Sequence, residues 1–356
     1  MQRAGSSIVV AIAALGCAGV GPSAIDATRP AYNAAIQQTS NEELLLNIVR
    51  LRYRDTPFFL QVSGVAANVS TESGLNGGVQ LPSSGPTIGT AGATALVTDN
   101  PTVTYTPLQG EQFVKQLLTP VSLETVLLLV RSGWSIDRVL RLCAQRLNDV
   151  RNAPSASGPT PADAPTFEDF RRASELLRVL QKRDAIYLAL DEGSRRELIL
   201  RFRGREATSA EALELTTLLG LRAGADRYVL TTAIGEADGE RISVETRSLM
   251  GSLFYLSQAV APPRSHEQRG WVTVTRNSDG SAFSWPSMMD GFFAVRSDAS
   301  GEPARSMSAS YRGETFAIDE RDLDSKATFG LLHQLFALQA GSFSASGPIL
   351  TLPVSR

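Results

Sequence analysis

Residues 67–81 read ANVSTESGLNGGVQL, and alternate positions fall into two classes. Odd positions carry Ala67, Val69, Thr71, Ser73, Leu75, Gly77, Val79 and Leu81; even positions carry Asn68, Ser70, Glu72, Gly74, Asn76, Gly78 and Gln80. A period of two is a strand's period, because successive side chains leave opposite faces. Pro82-Ser-Ser-Gly-Pro86 supplies a turn. A second arm sets Ala91, Ala93, Ala95 and Val97 against Thr90, Gly92, Thr94 and Thr98. The pattern predicts a long hairpin with one small or apolar row and one polar row.

The hairpin sits in a segment, residues 56–110, whose only charges are Glu72 and Asp99, although a fifth of the whole chain is charged. Three uses of such a segment stay open. It can be a surface hairpin with its apolar row on the core, or a flexible Gly/Ser/Thr loop, since glycine weakens strands. It can also be a membrane hairpin that each subunit gives to an oligomeric outer-membrane barrel. Bilayer-crossing strands need about 9–11 alternating residues with few charges, and Phe58, Phe59 and Tyr105 offer interfacial aromatic anchors. The chain ends Pro353-Val-Ser-Arg356, unlike the aromatic-terminated strand typical of single-chain outer-membrane barrels, so a whole-chain barrel is not expected.

Outward from the hairpin, helical spacing takes over. Ser40-Asn-Glu-Glu43 reads as a capping box, and Leu44, Leu45, Ile48 and Val49 form the apolar stripe of a helix over 41–54. Further helices are predicted at 111–118, 123–131 and 136–150, the last capped by Ser135. Residues 153–165 (APSASGPTPADAP) read as a linker and a domain boundary. Beyond it come helices near 169–182, 208–221, 244–260 and 325–339. Strands are expected at 185–190, 197–202, 227–234, 271–275, 291–295, 307–311, 315–318 and 349–352. Asp191-Glu-Gly193, Asn277-Ser-Asp279-Gly280 and Arg312-Gly313 mark turns. Strands and helices do not alternate regularly enough for a doubly wound sheet, so the expected class is α+β. The organisation is an N-terminal helical cluster with an embedded hairpin over 40–152, then a mixed α+β domain with short antiparallel strands over 166–356.

The first residues carry an address. Arg3 precedes an apolar run from Ile8 to Leu15, and no charge appears again until Asp26. A positive start, a short apolar core and a small residue before the cut describe a secretory signal, expected over 1–16. The run falls well short of the roughly 20 residues of a membrane span. Ala14-Leu15-Gly16-Cys17 resembles the lipobox of bacterial lipoproteins, with Ala and Leu where Leu and a small residue are usual. That resemblance implies acylation of Cys17, which becomes the new N-terminus. Ala18 in place of an Asp retention signal implies the outer membrane, facing the periplasm. Residues 17–39 then serve as a tether, and acyl chains at about 0.8 kcal/mol per buried CH₂ supply the hold on the bilayer.

Composition excludes some chemistry. Two His (His266, His333) and two Cys (Cys17, Cys143) rule out a Cys-rich zinc site or a disulfide scaffold. A net charge of −2 argues against non-specific nucleic-acid binding. No Gly-x-Ser-x-Gly elbow, phosphate-binding loop or His-Glu-x-x-His occurs. Asp319, Asp322 and Asp324 form the strongest acidic cluster. They can hold a hard cation or act as an acid–base pair, and they equally suit a helix start, where Asp caps and complements the dipole. His333 reads as core or rim, His266 as solvated, Cys143 as a buried structural thiol, and Trp271 and Trp285 as core. No cofactor is expected.

Three stretches carry a wider likeness: residues 41–60 (NEELLLNIVRLRYRDTPFFL), 101–121 (PTVTYTPLQGEQFVKQLLTPV) and 321–341 (RDLDSKATFGLLHQLFALQAG). With the Leu352-Pro353-Val354 ending, they resemble an uncharacterised lipoprotein family of double-membraned (Gram-negative) bacteria. The resemblance implies an envelope address and brings no activity or site residues. The expected function is therefore a lipid-anchored, non-enzymatic envelope component that docks with other envelope proteins. An oligomeric pore or export subunit using the 56–110 hairpin and a periplasmic hydrolase built around Asp322 are the alternatives.

Overall fold

The computed structural model describes residues 20–66, 69–80, 88–99, 102–191, 197–233, 238–298, 307–340 and 350–353. The signal peptide, Cys17, the Pro82–Pro86 turn and Glu192-Gly193 lie outside the described residues. In chain order, α1 (Val20–Arg52) leads to β1 (Leu60–Ala66), β2 (Val69–Gln80), β3 (Ile88–Asp99) and β4 (Thr102–Pro107). Next come α2 (Glu111–Leu118), α3 (Leu123–Arg131), α4 (Ile136–Cys143), β5 (Ala144–Leu147) and β6 (Val150–Arg151). Then follow α5 (Glu168–Lys182), β7 (Ile186–Asp191), β8 (Glu197–Phe202), α6 (Ala210–Leu218), β9 (Arg227–Thr231) and β10 (Arg241–Thr246). The chain goes on through α7 (Leu249–Ser257), β11 (Val260–Ala261), α8 (Arg264–Gln268), α9 (Trp285–Met288) and β12 (Val295–Asp298). It closes with β13 (Ser308–Tyr311), β14 (Glu314–Ala317), α10 (Leu323–Ala340) and β15 (Leu350–Pro353). The class is α+β. Among the described residues, no helix is long and apolar enough to cross a membrane.

Contacts divide the chain into two compact units, one of Met1–Ser40, Leu60–Leu108 and Ser344–Arg356, the other of Asn41–Phe59 and Gln109–Phe343. In the first unit β4 is the middle of a three-stranded antiparallel sheet, β1-β4-β15, with a bulge in β1 between Val62 and Gly64. The expected hairpin is present as a separate two-stranded sheet, in which β2 and β3 pair antiparallel from Val69↔Asp99 to Gln80↔Ile88. Residues 20–39 are helical rather than a tether. Tyr32, Ile36 and Ser40 are half-buried at i, i+4 spacing, so the stripe read from Leu44 onward starts earlier and Ser40 is no N-cap. Pro30 sits inside this helix.

The second unit holds a six-stranded sheet, β6-β5-β10-β9-β8-β7, antiparallel except for the β9–β10 pair, and a four-stranded sheet, β11-β12-β14-β13. Its core gathers Leu45 and Ile48 of α1, Phe170 of α5, Leu253 and Leu256 of α7, and Phe329 and Leu332 of α10. Buried Asn47 fixes the chain leaving α1: its amide donates to the Phe58 carbonyl (2.7 Å) and accepts from the Phe58 N–H (2.9 Å). That clamp turns Phe59 inward against Phe113 and Phe336, at 6.0 and 5.2 Å between ring centroids. Phe59 is therefore core and not an interfacial anchor, whereas Phe58 is 48% exposed.

Residues 153–165 are not a linker, and the two units do not divide there. Ala153, Ala156 and Thr160 are buried, and residues 154–157 form a 3₁₀ turn. The small side chains that resemble linker composition let this segment close over two buried guanidinium groups. Arg52 donates to Thr160 Oγ1 and to the Thr273 and Val260 carbonyls. Arg247 is 1% exposed and donates through Nε to Ser157 Oγ (2.9 Å), and through its terminal nitrogens to the carbonyls of Arg141 (3.1 Å), Ala144 (2.5 Å) and Asn152.

Arg247 also explains where α4 ends. The 136–150 stripe predicts one helix, but the chain leaves it after Cys143 and forms the β5–β6 hairpin, turning at Asn148 with φ 50°. A helix end leaves carbonyls without partners. Here Arg247 takes those of Arg141 and Ala144, its own N–H takes that of Cys143 (2.6 Å), and Ser252 Oγ takes that of Leu142 (3.2 Å). β10 was readable as RISVET, with Ile242, Val244 and Thr246 buried in alternation, in place of the start of the helix predicted from 244. Residues 271–275 form no strand. Phe292 and Phe293 are buried in a turn before β12, which starts at Val295.

Candidate functional site

The acidic cluster comes apart into three separate tasks. Asp322 precedes α10 and caps it, accepting from the Ser325 N–H (2.9 Å) and from the Ser325 hydroxyl (2.6 Å). Asp319 accepts from the Arg321 N–H (2.9 Å) in the turn before it. Asp324 faces α4, where Arg138 donates to its Oδ1 (2.6 Å) and to its main-chain carbonyl (2.6 Å). Asp319 and Asp322 line an open cavity of about 280 Å³, but Arg296 and Arg321 line it too, with Ala294. Two guanidinium groups beside two carboxylates balance the charge that a hard cation would seek. Among the described residues no group of three His, Cys, Asp or Glu is placed to hold a metal. The chemistry this arrangement performs is helix capping and an α4–α10 tie.

A polar aromatic cluster that the sequence does not announce lies elsewhere in the second unit. His266, expected to be solvated, is 3% exposed, and its Nδ1 lies 2.7 Å from the Tyr53 hydroxyl. Its ring lies tilted by 46° against Trp271, with 4.7 Å between ring centroids. Asp55 accepts from the Tyr311 hydroxyl and from Arg312 (3.0 Å). The Arg312 guanidinium lies 5.2–5.5 Å from the ring centroids of Tyr53, Trp271 and Tyr311. Burial pushes the Tyr53 phenol up to about 12, so it stays a neutral hydrogen-bond partner rather than a nucleophile. The Tyr53–His266 and Asp55–Tyr311 contacts join residues more than 200 positions apart and follow no local spacing. The single local hint is the Arg312-Gly313 turn, with Arg312 at φ 51°. The cluster ties the end of α1 to α8 and to the β13–β14 turn.

Among the remaining candidates, Trp285 is core and donates to Thr275 Oγ1 (3.0 Å), while Trp271 is 37% exposed. Cys143 is a buried free thiol whose pKa burial pushes up to about 12, too high for a nucleophile. His333 packs edge-on against Phe329 (5.4 Å) on α10, and desolvation lowers its pKa.

That leaves the β2–β3 ribbon. Its register sets Thr71↔Val97, Ser73↔Ala95, Leu75↔Ala93 and Gly77↔Ala91 in alternation with Ser70↔Thr98, Gly74↔Thr94, Asn76↔Gly92 and Gly78↔Thr90, while Val69↔Asp99, Glu72↔Leu96 and Gln80↔Ile88 each oppose an apolar residue to a polar or charged one. Directly opposed residues of an antiparallel pair share a face. The odd-numbered positions of the two arms therefore share one row and the even-numbered positions the other, with Asp99 on the mostly small or apolar row and Leu96 and Ile88 on the mostly polar one.

The chain matches no protein-family model, no curated protein and no solved structure.

The acidic residues cap and tie helices, and the buried arginines hold carbonyls. Among the described residues, each strand of the ribbon has one hydrogen-bonded neighbour in its sheet.

Proposed function

We propose that this chain is a lipid-anchored, non-enzymatic component of the cell envelope whose part is to dock with other envelope proteins through the β2–β3 ribbon. The observation that carries the reading is the ribbon itself: a ladder of 12-residue strands in a sheet of two. Such a hairpin is marginal in water by itself, and its outer N–H and C=O groups template further pairing. The lipobox-like Ala14–Cys17 and the likeness to lipoproteins of double-membraned bacteria support an anchor at Cys17 in the outer membrane. The separate tasks of Asp319, Asp322 and Asp324 weigh against the hydrolase alternative.

A second reading, with the ribbon crossing the outer membrane as a pore strand pair, is favoured by strand length. Twelve residues at about 3.3 Å span about 40 Å, and tilted by 35–45° about 30 Å, close to a bilayer's hydrocarbon thickness.

Fractionation tests the proposal. The wild-type chain is expected in the outer-membrane fraction and Cys17→Ser in the soluble periplasm. Replacing residues 69–99 by a short turn leaves the address unchanged and reduces the size of the detergent-extracted particle. A Cys17→Ser chain that fractionates like wild type, or a particle of unchanged size without the ribbon, refutes the proposal.

A further inference from the structure

We draw no further inference here: the strongest candidate, the open cavity before α10 lined by Arg296, Asp319, Arg321 and Asp322, carries nothing, because its carboxylates already serve the turn and the cap of that helix, its arginines are exposed, and nothing in the structure shows what fills it.

Discussion

Replacing Arg247 by Met keeps the length of the side chain and removes its charge and all its donors. The lost partners are main-chain carbonyls and one hydroxyl that the substitution cannot take away: Arg141, Ala144 and Asn152 oxygens and Ser157 Oγ. Two of these keep a second donor, since Asn152 Nδ2 also reaches the Arg141 (3.0 Å) and Ala144 (2.7 Å) carbonyls. The Asn152 carbonyl takes its donor from Arg247. Each bond to a charged group contributes about 1.5–3 kcal/mol, and a buried acceptor left empty costs about 1–3 kcal/mol. Relief from burying a cation opposes this. Its measure is the guanidinium pKa, which burial lowers to about 10. Where an ion pair is replaced by apolar residues both partners go, and the exchange can be neutral; here one side stays, which is the strongly destabilising case. The expected cost is about 3–5 kcal/mol, and at roughly 2–4 °C per kcal/mol for a domain of this size the melting temperature falls by about 10 °C. Arg247→Lys recovers part of it, because one ammonium cannot reach all the acceptors. Urea denaturation followed by tryptophan fluorescence reads the difference. An Arg247→Met chain within about 1 kcal/mol of wild type would refute the account of how α4 is terminated.

Other expectations concern single groups. Cys143, buried with its pKa raised from 9.0 to about 12, gives no reaction with a thiol reagent in the folded chain and one equivalent after denaturation in the Cys17→Ser background. Its thiol favours folding fully below pH 9, and that contribution is lost as the pH rises toward 12. His333 runs the other way: its folded pKa lies below 6.5, so its contribution is present above pH 6.5 and is lost as the pH falls through the folded value. His333→Leu flattens that acid limb of a stability–pH profile by up to about 1.4 kcal/mol per pH unit. Asp322→Ala removes the cap of α10 and lowers stability by about 1 kcal/mol in denaturant titration, with larger losses excluded if capping is its whole task.

What was legible in the sequence follows physical range. The β2–β3 hairpin and the stripe of Leu44, Leu45, Ile48 and Val49 were read from local periodicities, and the paired strands and the buried stripe are both present in the fold. The end of α4 is not local: residues 139–150 keep a helical spacing of apolar side chains, and it takes Arg247, more than 100 positions away, to hold the carbonyls that stop the helix. The same range hides the fate of His266, which follows a Pro-rich stretch in sequence and meets Tyr53 only in the folded chain. Residues 153–165 mislead for another reason. Small and Pro-rich composition is what a linker needs, and it is also what close approach to buried Arg52 and Arg247 needs. Asp322 was readable either way, because a helix start and an acidic site use the same residue type. The distance from Asp324 to Arg138, rather than any spacing, separates the two.

Mass spectrometry of the mature N-terminus, taken from membranes of cells expressing the full chain, tests the anchoring claim most directly. The expected chain begins at Cys17 and is heavier than its amino acids by the mass of a diacylglyceryl group, with or without a further acyl chain. A chain that keeps Met1, or begins at an unmodified residue, contradicts it.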